Sequence, residues 1–134
     1  MRLLMFHVSH FWYNPHEPES PDIPDEREDF PESVLVWIQA EEKDEENRTK
    51  VVRKMVKNIR WLCKKVKCKQ VILHSFAHLG DSKSSPEFAD GVIEETMNRL
   101  DERGYAVHIV PFGVFNEFEM QVKGPSLAKV FKQF

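Results

Sequence analysis

Two short stretches hold the residue types from which a binding or catalytic site is built. Phe76-Ala77-His78-Leu79 follows the apolar run Val71-Ile72-Leu73, and Pro111-Phe112-Gly113 follows Ile109-Val110. Each is a buried-strand pattern that stops abruptly at small and aromatic residues. In α/β folds the carboxyl ends of strands are where ligands bind. His78 is suited to polarising an ester carbonyl, holding a water or contacting a ribose hydroxyl. On residue type alone, a hydrogen-bonded structural histidine is the commoner outcome, because buried polar groups are paired ones. Pro111-Phe112-Gly113 combines a fixed φ, a bulky apolar wall and a backbone without Cβ that a ligand can approach closely. Amides there could face a developing oxyanion. An ordinary turn gives the same letters.

Other chemistry is poorly supported. His74 and His78 have a spacing that suits a metal on a helix, but His74 ends a strand, so no metal is expected. The only cysteines, Cys63 and Cys68, have no second pair to complete a zinc site or a disulfide framework. Cys63 falls on the core side of a helix and makes a poor nucleophile. Free thiols suit a reducing cytoplasm. No Gly-rich phosphate loop, nucleophile elbow or zinc finger occurs, and no cofactor is expected.

The elements that must position these residues are legible from periodicity. The 134 residues, 41% hydrophobic and 31% charged, fit one domain, 1–134, with one core. Leu3 to Val8, Val34 to about Ala40, Gln70 to His74 and Tyr105 to Val110 read as strands. Phe115 to Val122 alternates with period two, setting Asn116, Phe118, Met120 and Val122 against Phe115, Glu117, Glu119 and Gln121. Thr49 to Val66 has helical spacing with Val52, Met55, Val56, Ile59, Leu62 and Cys63 on one face. A second helix starts at Ser84 or Ser85 with Pro86 in its first turn and stops before Gly104. Asp44 to Asn47 reads as a polar turn and Ser126 to Phe131 as a final helical turn. The order β-β-α-β-α-β-β indicates a mixed α/β domain.

Charge is uneven beneath a net of −3. Glu17 to Glu32 carries eight acidic residues against Arg27, within a proline-rich loop spanning 14–32 that reads as an irregular excursion or flap. Arg48 to Lys69 carries ten basic residues and no acidic one. Such a run is most often a solvated helix face, although it also suits a polyanion. No segment approaches the roughly 20 apolar residues of a membrane span.

With the segments placed, the chain resembles the archaeal threonyl-tRNA synthetase editing domain, a family related in fold to D-aminoacyl-tRNA deacylases. The resemblance runs through Arg2-Leu3-Leu4-Met5-Phe6-His7, Ala40-Glu41-Glu42-Lys43-Asp44-Glu45, Phe76-Ala77-His78-Leu79, Glu102-Arg103-Gly104-Tyr105, Pro111-Phe112-Gly113 and Phe118 through Lys123-Gly124. It implies a D-aminoacyl-tRNA deacylase-like α/β fold, a mixed sheet with two main helices. It implies hydrolysis of seryl-tRNA(Thr) by a second sieve, because one methyl is worth only about 1–3 kcal/mol in a synthetic site. It places His7, Ala40, Phe76, Ala77, Pro111, Phe112, Gly113, Val114, Phe115 and Lys129 in a substrate pocket, with His78 orienting the ester or the terminal ribose. The partners implied are the 3′ end of an aminoacyl-tRNA, a second copy of the chain and a partner synthetase, with no membrane.

The chain departs from the family pattern. After Pro111-Phe112-Gly113 the family has an aromatic residue, a tyrosine and a lysine, whereas Val114, Phe115 and Asn116 stand here. Asn116 therefore takes a catalytic or discriminating position with its charge gone. Lys129 stands where the family has a functional glutamate. Three expectations follow. The first is a free-standing hydrolase editing mischarged aminoacyl-tRNA in trans. The second is an inactive relative that binds an amino acid, a nucleoside, a tRNA end or a partner synthetase. The third is a dimerisation module.

Overall fold

The structure, a computed structural model, describes residues 1–16 and 27–134. The sheet is built around β1 (Arg2–Pro15), which is longer than the expected strand over Leu3 to Val8. Its partners are β2 (Glu28–Phe30), β3 (Ser33–Gln39), β6 (Asn116–Val122) and β7 (Lys129–Gln133). A register shift between Val8 and His10 marks a bulge, which bends a strand and increases its twist. The first half of β1 lies between β3 and β7; the second half lies between β2 and β6.

Beyond β3 the sheet becomes parallel. β4 (Gln70–Ser75) pairs with β3, and β5 (Ala106–Ile109) pairs with β4, in the order β2-β1-β3-β4-β5. Parallel neighbours need crossover connections. These are α1 (Arg48–Val66) and α2 (Pro86–Asp101). Val34, Val36, Ile38, Val71 and Leu73 meet Met55, Ile59 and Leu62 of α1 in one core. Leu35 and Ile72 point the other way and join Phe6, Val8, Phe11, Tyr13 and Val110 in a second. The continuous apolar runs of β3 and β4 follow from this burial on both faces.

Local signals acted as read at both ends of α2. Ser85 caps α2, its Oγ accepting from the Phe88 amide at 3.2 Å, with Pro86 in the first turn. Gly104 takes φ +87° just past α2, where its amide donates to the Asp101 carbonyl.

Three readings need correction. Asp44 to Asn47 is not a plain turn: Glu42–Glu46 forms a 3-10 helix. The final helical turn is a 3-10 turn over Ser126–Ala128 only, after which Lys129–Gln133 is strand β7 on the edge of β1. The 14–32 segment is not loop at its ends, because Asn14 and Pro15 belong to β1 and Glu28–Phe30 to β2. The middle of that flap, 17–26, lies outside the described residues. The mixed sheet with two main helices is the D-aminoacyl-tRNA deacylase-like α/β class expected. Among the described residues no helix is long and apolar enough to cross a membrane.

Candidate active site

Register explains why the two motifs meet. Leu73 of β4 pairs with Ile109 of β5, so the two strands end together at one edge of the sheet. The β3–β4 ladder continues through Phe76 N–H to the Ile38 carbonyl, and the β4–β5 ladder through Val110 N–H to the Leu73 carbonyl, each 2.9 Å. The chain leaves β4 at Phe76-Ala77-His78 and leaves β5 at Pro111-Phe112-Gly113. Between these exits lies a cavity of about 320 Å³, lined by residues 74–78, residues 111–116 and Phe118. This is near the small end of ligand pockets.

Aromatic packing shapes the walls. Trp37 stacks on Phe76 with centroids 4.1 Å apart and planes 11° apart. His78 stands edge-on to Phe76 at 5.3 Å. Phe118, on the half-buried side of β6, stands edge-on to the His74 ring at 5.6 Å. Phe112 and Phe115 are exposed at the rim, Phe115 to 75%. Gly113 has φ +77°, a conformation in which a side chain would be strained.

The polar groups divide by burial. His78 is exposed. His74 is 7% exposed, and its Nδ1 is inaccessible with no hydrogen-bond partner. Burial among aromatic rings pushes its pKa down to about 4, so the ring is neutral at physiological pH. Asn116 donates through Nδ2 to the Val114 carbonyl at 3.1 Å, while its Oδ1 is buried without a partner. Trp37 Nε1 is in the same condition. Orphaned polar atoms are rare in native interiors, and two of these residues, His74 and Asn116, line the cavity, whereas Trp37 lies behind Phe76. The amides of Ala77, His78, Phe112 and Gly113 make no hydrogen bond to another described residue.

The turn after His78 is fixed from below. Gln39 accepts from the Leu79 amide at 2.6 Å and the Gly80 amide at 2.9 Å, and donates to the Gly80 and Ser82 carbonyls. Arg2 donates to the Leu79 carbonyl at 2.8 Å and to Glu41 at 2.8 Å. Its guanidinium lies where a Cβ on Gly80 would fall, 2.6 Å from Cζ. Burial would raise the Glu41 carboxyl, but Arg2 and the Met1 ammonium more than offset it and hold its pKa below the usual range.

Of the residues singled out in the sequence, the cavity gathers Phe76, Ala77, His78, Pro111, Phe112, Gly113, Val114, Phe115 and Asn116. It does not gather His7, Ala40 or Lys129. Ala40 is buried in the core under the helices, its carbonyl accepting from the Ser84 amide. Lys129 begins β7 and donates to the Lys123 carbonyl at 3.0 Å. His7 is at the other end of β3, opposite Val34, with Nε2 2.7 Å from Glu32. There His7, Glu32 and Cys68 bring potential ligand atoms within 4.8 Å of one another. Their polar atoms are already engaged: Glu32 with Lys123 at 3.0 Å, and the Cys68 thiol with the Glu32 and Gln70 carbonyls. Both cysteines are free and buried, and burial pushes the Cys63 thiol up to about 12. Sequence reasoning passed over His74 as a site residue and missed Gln39. A polar side chain at the end of an otherwise apolar strand is the signal both carry.

Comparison with known proteins agrees with this architecture. The archaea-specific editing domain of threonyl-tRNA synthetase, as a family profile, matches residues 1–134. The threonine–tRNA ligase of Methanobrevibacter smithii is 34% identical over 134 residues, covering 97% of this chain and 22% of that protein. That of Thermococcus gammatolerans is 33% identical over 135 residues, with the same coverage. The chain thus spans 22% of the length of these curated relatives. A solved structure, the c-Myc DNA unwinding element binding protein, is similar with a TM-score of 0.67 at 11% identity, over 100% of this chain and 99% of that one. That likeness concerns the fold alone.

Proposed function

The chain belongs to the archaea-specific editing-domain family of threonyl-tRNA synthetases, and we propose that it hydrolyses the ester of a mischarged aminoacyl-tRNA, seryl-tRNA(Thr) or a close analogue, between the ends of β4 and β5. One observation carries this reading: a small cavity at the carboxyl ends of parallel strands, with buried polar atoms that the protein does not satisfy. The orphaned Nδ1 of His74 is best left as a bare acceptor, since unpaired buried N–H groups are the rarer case. The proton then sits on Nε2. His74 is thereby a neutral donor for a hydroxyl or carbonyl oxygen of the aminoacyl group.

The hydrolysis needs little from side chains. Water adds to the acyl carbon; the carbonyl oxygen gathers charge; the bond to the ribose oxygen breaks; and a proton returns to that oxygen. The unengaged amides at Ala77-His78 and Phe112-Gly113 are donors of the kind that stabilise such an oxyanion. His78, at the rim against Phe76, reaches the ribose end and holds the attacking water. Asn116, its amide donating to the Val114 carbonyl, shapes the wall of the cavity against which the aminoacyl group lies. Holding ester, water and donors together replaces much of what a lysine and a glutamate would add.

A second reading is a non-catalytic binder of an amino acid, a nucleoside, a tRNA end or a partner synthetase. Its basis is Asn116 in place of a cation and the absence of Lys129 from the residues that line the cavity. Pairing of two copies in a reducing cytoplasm accompanies either reading. Incubating the isolated chain with seryl-tRNA(Thr) and a panel of other charged tRNAs separates them. Release of amino acid above the buffer rate, in trans and lost in His78→Ala, supports hydrolysis. Saturable binding without release supports the binder.

A further inference from the structure

The helix layer carries a second concave surface that the pocket leaves unexplained. Arg53, Lys57, Arg60 and Lys64 recur at steps of four, three and four along α1, which places them in one stripe. At 1.5 Å per residue the stripe is roughly 16 Å long. Arg99, from the last turn of α2, and Arg103, from the turn that follows, form the facing wall of a groove of about 330 Å³. Six cations from two helices and a turn thus converge in a chain whose net charge is −3.

Convergence of like charges is unfavourable, and little in the chain offsets it here. Glu95 approaches Arg99 at 3.8 Å and otherwise Arg48. Among the described residues, Arg53, Lys57, Arg60, Lys64 and Arg103 have no ion-pair partner. Arg60 Nε is buried without a hydrogen-bond acceptor. Trp61, 36% exposed, lines the same groove, with Lys132 4.8 Å from its ring. An apolar floor edged by unpaired cations suits a phosphate chain. The groove lies on the helix side of the sheet, whereas His74 and Phe118 pack on the other side.

We infer that this groove docks the phosphate backbone of the tRNA body, separately from the pocket that takes the 3′ end. The inference rests on the editing reading for the identity of the RNA. Duplex RNA is recognised mainly through phosphates, 2′-hydroxyls and shape, for which a cationic groove without base-reading side chains is sufficient.

The test uses uncharged tRNA(Thr) and the intact chain, comparing wild type with R53E/R60E/K64E over a salt series. Expected are at least tenfold weaker binding at low salt and a shallower dependence of log K on log salt, by about 0.7–0.9 for each phosphate no longer neutralised. Hydrolysis of a minimal substrate, serine esterified to adenosine, stays at the wild-type rate. The corresponding Gln triple shows the same direction if the Glu triple unfolds in a thermal melt. Unchanged affinity and salt slope in both triples overturn the docking surface. Equal loss with tRNA and with the minimal ester also overturns it, because the defect is then in the pocket. A wild-type chain that binds tRNA through the groove but leaves the minimal ester intact overturns the editing reading and upholds the docking surface.

Discussion

The two ends of the β3–β4 pair carry similar residue types in opposite conditions. At the entry of β4, His7, Glu32, Lys123 and Cys68 satisfy one another within 3.0 Å for the ion pairs, and the thiol bonds to carbonyls. At its exit, His74 Nδ1 and Asn116 Oδ1 are buried without partners in residues that line a cavity. A histidine whose bonds are completed by the fold serves the fold. A histidine buried with its bonds incomplete is the better candidate for a group that meets a ligand. We propose from this contrast that His74, which lines the cavity, belongs to the substrate set and that His7, which does not, serves the fold.

The contrast breaks most readily at His74. His74→Leu keeps an apolar filler but removes the donor; deacylation of the sensitive aminoacyl-tRNA is expected to fall about 10²-fold, in line with loss of a transition-state donor. Thermal stability should hold, because an unsatisfied buried group has been removed. A tRNA-independent loss of folding in this variant would make His74 structural instead.

Acid stability gives the next largest effect. The folded His74 pKa, about 4, lies below the ordinary value of 6.5. Between those pH values the unfolded chain binds one more proton than the folded one, so stability rises with pH across the window and is lost as pH falls toward 4. The His74 contribution amounts to about 3 kcal/mol at most. Urea melts from pH 7 down to pH 4 should show this slope in wild type and a flatter one in His74→Leu.

At the satisfied end, His7→Ala is expected to cost about 1–3 kcal/mol, read as a lower urea midpoint, with deacylation per folded molecule within twofold of wild type. A rate loss beyond tenfold would return His7 to the site. The smallest effect belongs to Lys129→Glu. Its ammonium touches only an exposed carbonyl, so stability should shift by less than about 0.5 kcal/mol and activity by less than twofold, even though an acid now stands at that position.

Much of the fold was legible because β3 and β4 are apolar on both faces and α1 keeps its helical period from end to end. β7 was not, because Lys129-Val130-Phe131-Lys132-Gln133 leaves only Val130 and Lys132 half-buried, and its partner is the distant edge of β1. The second half of β1 was hidden by the bulge near Ser9, which interrupts the apolar alternation. At the site, both strand-end motifs were visible as local patterns. Their meeting depends on the Leu73–Ile109 register, which no local pattern encodes. His74 attracted attention only as a partner spaced from His78. Its burial against Phe118 comes from β6, over forty residues away in the chain.

Hydrolysis of an aminoacyl ester at the exit end of β4 and β5 is tested most directly by single-turnover release of serine from seryl-tRNA(Thr) by the isolated chain. Release well above the buffer rate, abolished together in His78→Ala and His74→Leu, is the result expected. Release at the buffer rate from this and every other charged tRNA in the panel would contradict it.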